Sequence, residues 1–107
     1  MKFAGMWHIT EMEMWDEDYF NMETQAYVQI NPNGMGNFQF GLVTGQIHGD
    51  VTDESGHERF EFTWEGSDEL DPVSGSGWLR IAGDDSAEGN VKIHAGDRSG
   101  FTVEKVQ

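Results

Sequence analysis

Apolar residues recur at every second position along most of the chain, and that period constrains its fold more than any other feature. Ala26, Val28 and Ile30 alternate with Tyr27 and Gln29, and Phe38, Phe40 and Leu42 with Asn37, Gln39 and Gly41. Phe60, Phe62 and Trp64 alternate with Glu61, Thr63 and Glu65, and Ile47 and Val51 with Gln46, His48 and Asp50. Val91, Ile93 and Ala95 alternate with Lys92 and His94, and Phe101 and Val103 with Thr102 and Glu104. Successive side chains of a strand point to opposite faces, so each segment reads as a strand with one buried and one wet face, the pattern of antiparallel sheet. Helical periodicity is nearly absent.

The joints carry turn chemistry. With 14 glycines against 2 prolines, tight turns are expected rather than a disordered linker. Asn31-Pro32-Asn33-Gly34 joins the second and third strands, and Thr44-Gly45 makes a short break before the fourth. Residues 53–57 join the fourth and fifth, 83–90 the sixth and seventh, and 96–100 the seventh and eighth. Residues 66–77, which hold Asp68, Glu69, Asp71 and Pro72, read as the longest connection of the second half. Residues 16–24 read as another, with room for a helical turn. The result is an all-β domain spanning residues 1–107, an eight-stranded antiparallel up-and-down meander. Closure into a small barrel is expected because it removes exposed edges; an open sheet or two-sheet sandwich is the alternative. The expected core runs from Trp7 and Ile9 through Val28, Ile30, Phe38, Phe40, Leu42, Ile47, Phe60, Phe62 and Trp64 to Val91, Ile93, Phe101 and Val103.

Charge narrows the partners. Twenty acids against six Lys and Arg give a formal charge of -14. Binding a nucleic acid needs clustered cations, so nucleic acid is not expected as a partner, and neither is an anionic membrane surface. No cysteine is present, which leaves no thiolate metal site and no disulfide. No apolar run reaches the length of a signal peptide or a bilayer span, and a cytoplasmic location is expected.

Gly5-Met6-Trp7, entering the first strand, resembles the Gly-x-Trp opening of lipocalin-type and avidin-type barrels. In those families the tryptophan plugs one end of the barrel and a ligand enters the other. The resemblance implies a lipocalin- or streptavidin-like barrel that binds a small ligand, with no ligand-contact residue carried over. Residues 7–16, 64–69 and 94–101 resemble stretches of a family of small bacterial β-proteins of uncharacterised function, a likeness that brings no activity with it.

Candidate sites follow from departures from the pattern. Trp7 and Ile9 share a parity that, continued, places Glu11, Glu13 and Trp15 on the same face and Met12 and Met14 on the other. Either a β-bulge near Thr10-Glu11 swaps the faces and buries the methionines, or both carboxylates point inward. The second arrangement would signal a site, because buried acids are costly unless paired. Glu65, Asp68, Glu69 and Asp71 form an oxygen-rich group of the kind that can hold calcium, without EF-hand spacing. A pair of acids beside tryptophan also evokes glycoside hydrolysis, for which a barrel this small has little room. His8, His48 and His94 fall on strands that are not mutual neighbours, so a three-histidine metal site is not expected. Arg80 flanks Trp78 in Trp78-Leu79-Arg80-Ile81 and can pair with acids or stack on the indole.

These readings favour a non-enzymatic binding module that holds a small molecule or a basic protein partner. Trp7, Glu11, Glu13, Trp64, Trp78 and Arg80 are the expected ligand contacts. The alternative is a metal-assisted or carboxylate-based hydrolytic enzyme using Glu11, Glu13, Glu65 or Asp68. No catalytic constellation and no cofactor motif is evident, and calcium at Glu65, Asp68, Glu69 and Asp71 is the metal the sequence leaves open.

Overall fold

In the computed structural model, which describes residues 1–106, eight strands form a closed antiparallel barrel. They are β1 (Gly5–Met12), β2 (Tyr27–Ile30), β3 (Met35–Phe40), β4 (Val43–Glu54), β5 (His57–Asp68), β6 (Asp71–Ile81), β7 (Ser86–Ile93) and β8 (Arg98–Lys105). Each strand pairs with the next in sequence, and β8 returns to β1 to close the ring. A single helical turn, α1 (Glu17–Phe20), follows β1. Asp16 caps it, its Oδ1 accepting from the Tyr19 amide at 3.0 Å.

The inward parity is aromatic. Trp7, Phe38, Phe40, Phe60, Phe62, Trp64 and Phe101 are all buried. Phe38 packs edge-on against Trp64 with centroids 5.0 Å apart. Both ends are stoppered. At the end where β1 begins, buried Phe3 lies on Phe60. Its carbonyl accepts from Trp7 Nε1 at 2.9 Å. At the other end α1 brings Phe20 inward, while Trp15 packs on Phe40 at 5.0 Å.

The bulge is present. Ile9 pairs with Val103 but Glu11 pairs with Thr102, leaving Thr10 as the extra residue. The face swap turns Met12 against the core and leaves Glu11 and Glu13 exposed. Met14 lies beyond the strand and is also exposed, so only one of the two methionines is drawn in.

Several boundaries differ from expectation, for one shared reason. Residues 66–77 are not a connection. β5 runs on to Asp68 and β6 starts at Asp71, leaving Glu69-Leu70 as the whole turn. Thr44-Gly45 lies inside β4, the break falling at Gly41-Leu42 instead. Residues 86–90 belong to β7, and Ala95 sits in the turn after it at φ 60°. Glycines and serines that look like turn residues line the strands because the rings need their space. A Cβ at Gly77 would meet the Phe62 ring at 2.5 Å, and one at Gly45 would meet Phe38 equally closely. Val43 is buried where Leu42 was expected, Leu42 and Ile93 are half-buried, and Phe3, Phe20, Ala26, Leu79 and Ala87 join the core.

Candidate functional site

Among the described residues the barrel interior is filled by side chains. The void among Ile9, Val28, Phe38, Phe62 and Phe101 measures about 10 Å³, room for one water at most. Trp7 and Trp64, expected as ligand contacts, are core residues. The Trp64 indole N–H donates to the Lys92 carbonyl at 3.3 Å, so both indoles have their polar edge satisfied by backbone. That arrangement gives stability rather than recognition.

The concave space lies outside, across β4 to β8. Strand register lines up a transverse outward row: Met35 opposite His48, His48 opposite Thr63, Thr63 opposite Ser76, Ser76 opposite Lys92, and Lys92 opposite Arg98. Thr63 and Ser76 are the short side chains of this row, and taller ones stand on either side. Two overlapping depressions result. One, of about 650 Å³, runs between Met35, His48, Glu65, Ser74, Lys92 and His94. The other, of about 820 Å³, runs between Asp50, Glu61, Trp78, Asn90, Lys92 and Arg98. His48, Thr63, Ser76 and Lys92 belong to both, so the two form one continuous groove.

Trp78 is the aromatic element of the groove and is held in place from its own side of the sheet. The Arg59 guanidinium lies 4.2 Å from its ring centroid and that of Arg80 5.7 Å away. Arg80 is anchored in turn by an ion pair with Glu88. Arg59 Nε is buried without a hydrogen-bond partner among the described residues, while its guanidinium lies over the indole. Of the six Lys and Arg residues, Arg59, Arg80, Lys92 and Arg98 all stand on β5 to β8. Lys2 and Lys105 lie at the Phe3 end, where Lys2 pairs with Glu58 and Lys105 Nζ sits 5.4 Å from the Trp7 ring. The acids lining the groove are Asp50 and Glu61, facing each other across β4 and β5, and Glu65 farther along β5. Glu61 is engaged, accepting from Thr52 Oγ1 at 2.8 Å.

Of the expected site residues, Trp78 and Arg80 are thus brought together at the groove, and Glu65 lies on its border. Glu11 and Glu13 are not drawn in. They line a neighbouring depression with Glu88, Asn90 and Thr102, which meets the groove at Asn90, and Glu13 Oε1 accepts from the Gly100 amide at 3.3 Å. Asp68, Glu69 and Asp71 occupy the β5–β6 hairpin tip, not a loop, so they do not fold around a common centre. Among the described residues no group of three or more His, Asp or Glu is placed to hold a metal ion. No helix among them is long and apolar enough to cross a membrane. His48, Thr63, Ser76, Asn90, Lys92 and Arg98 were not anticipated. The outward parity of His48, Thr63 and Lys92 is legible in the alternation, but Ser76, Asn90 and Arg98 fall in segments that read as connections, and the row through Ser76 emerges only when residues 66–77 are strand. No protein-family model, curated protein or solved structure matches the chain.

Proposed function

We propose that the protein is a non-enzymatic binding module that takes a small ligand in the outer groove beside Trp78 rather than inside the barrel. The supporting observation is the contrast between a filled interior and a continuous groove of several hundred Å³ lined by an indole, hydroxyls and cations. Binding sites commonly combine one aromatic surface with a few fixed polar groups. Two guanidiniums already hold Trp78, which lowers the ordering cost of stacking against it. A lipocalin-like mode, with ligand inside the barrel, has no support in the packing.

A basic protein partner is the second reading, favoured by the β5–β6 tip. There Leu70 is 96% exposed, flanked by Asp68, Glu69 and Asp71. A cationic segment with an apolar anchor would complement it. A hydrolytic role has less support, because Glu11 and Glu13 stand outside the groove.

The test is a titration of ¹⁵N-labelled protein with benzyl alcohol, benzoate and phenyl phosphate, followed by amide and indole N–H shifts. The groove reading predicts shifts at Thr63, Ser76, Trp78 and Lys92 that vanish in Trp78→Ala. Shifts confined to the β5–β6 tip, or shifts unchanged in Trp78→Ala, contradict it.

A further inference from the structure

We infer that the groove recognises an oxyanion, a carboxylate or phosphate monoester on a compact ligand, held between Lys92 and Arg98 with the ligand's flat body against Trp78. This rests on the outer-face reading above and gives it a ligand class.

The carrying observation is a like-charge pair. Lys92 on β7 and Arg98 on β8 are direct register partners, so their side chains leave the same face about 5 Å apart at Cβ. Like charges so placed repel and destabilise the pairing. In a chain with twenty acids and six cations, an acid would be the ordinary neighbour of either residue. Neither has one: among the described residues the ion pairs are Lys2–Glu58 and Arg80–Glu88. Both cations are exposed and line the same groove as Trp78. Two unneutralised cations side by side suit one oxyanion between them, Arg98 offering a planar fork and Lys92 a point charge.

The rest of the groove fits. Ser76 and Thr63 in the row of Lys92, and the Asn90 amide opposite Trp78 in the neighbouring row, supply neutral donors in the same groove. Asp50, Glu61 and Glu65 lie on β4 and β5; Glu61 and Glu65 are two strands from Lys92, about 10 Å at ordinary strand spacing. They therefore face the ligand's other end rather than its anionic group. The charge of -14 also selects for size. Within the screening length of about 8 Å at physiological salt, the surrounding acids repel a polyanion whose charge extends over them, while a small ligand with one anionic group meets the local cations.

The same three probes test this. Phenyl phosphate and benzoate are expected to bind at least about tenfold more tightly than benzyl alcohol, shifting the Trp78 indole N–H and the Lys92 and Arg98 amides. Lys92→Gln and Arg98→Gln should each weaken both anions about tenfold and leave benzyl alcohol unchanged. Lys105→Gln, at the far end of the barrel, should change none of the three. The ratio of phenyl phosphate to benzoate affinity distinguishes the phosphate from the carboxylate source. Equal affinities for all three probes at Trp78 would overturn the oxyanion inference and leave the groove reading standing. No shift at Trp78 with any probe would overturn both. Equal weakening by Lys105→Gln would reduce the effect to general attraction and overturn the inference.

Discussion

Trp7, Trp64 and Trp78 do two different jobs, and the difference follows from where each polar edge goes. Trp7 and Trp64 are buried with their indole N–H groups on backbone carbonyls, Phe3 O and Lys92 O. Trp78 is half-buried on the outside, and its partners are cationic side chains. Replacing Trp7 by Phe keeps most of the ring but orphans a buried carbonyl, so it should cost about 1–3 kcal/mol in denaturant unfolding. Trp7→Ala should cost about 3–5 kcal/mol. Trp78→Ala should cost clearly less than Trp7→Ala while abolishing the groove shifts. Equal losses from the two alanine variants would make Trp78 a structural residue instead. The same logic explains the one fully buried polar side chain identified in the core, Ser99. Its hydroxyl donates to the Gly100 carbonyl at 2.8 Å and accepts from the Met14 amide at 3.1 Å, so its burial is satisfied.

At the level of strands and turns, the bulge in β1 makes a sharp prediction. Thr10 is the residue without a register partner, so deleting it restores unbroken alternation from Ile9 to Met12, with Glu11 still outward. That deletion should preserve cooperative unfolding. Deleting Gln29 from β2, whose pairings on both sides are regular, should abolish it, since every residue beyond the deletion changes face. If both deletions unfold the protein, the bulge is not the extra residue described. The β4–β5 turn offers a second test. Ser55 and Gly56 both have positive φ, 56° and 82°, the geometry that favours Asn-Gly. Ser55→Asn should therefore stabilise by about 0.5–1 kcal/mol in the same unfolding assay. The strands with large inward residues were legible from alternation alone, including β5 through Phe60, Phe62 and Trp64. The bulge too could be read, because inward Glu11 and Glu13 would have been costly. What could not be read was β6 before Trp78, where the inward positions are Val73, Gly75 and Gly77. Alternation has no signal there, since the space at Gly77 is filled by the Phe62 ring from the neighbouring strand. Losing that strand also hid the groove, whose floor at Ser76 lies in it.

Across the whole molecule, an interior filled by aromatic rings leaves the surface as the place for recognition, and the charge there is unevenly spread. Acids are spread over both ends and the outer face, whereas five of the six Lys and Arg residues stand on β5 to β8. Self-repulsion among exposed carboxylates should make the melting temperature rise between about 10 mM and 150 mM salt, as the screening length falls from about 30 Å to 8 Å. A melting temperature indifferent to salt would mean that the net charge bears little on stability. The groove, by contrast, should lose affinity for anionic probes over the same range. The most direct test of the account is the set of intermolecular nuclear Overhauser effects from the ring protons of bound phenyl phosphate. The account predicts contacts to the Trp78 indole and the Lys92 and Ser76 side chains. Contacts to Phe38, Phe40 or Val28, which face the interior, would contradict it.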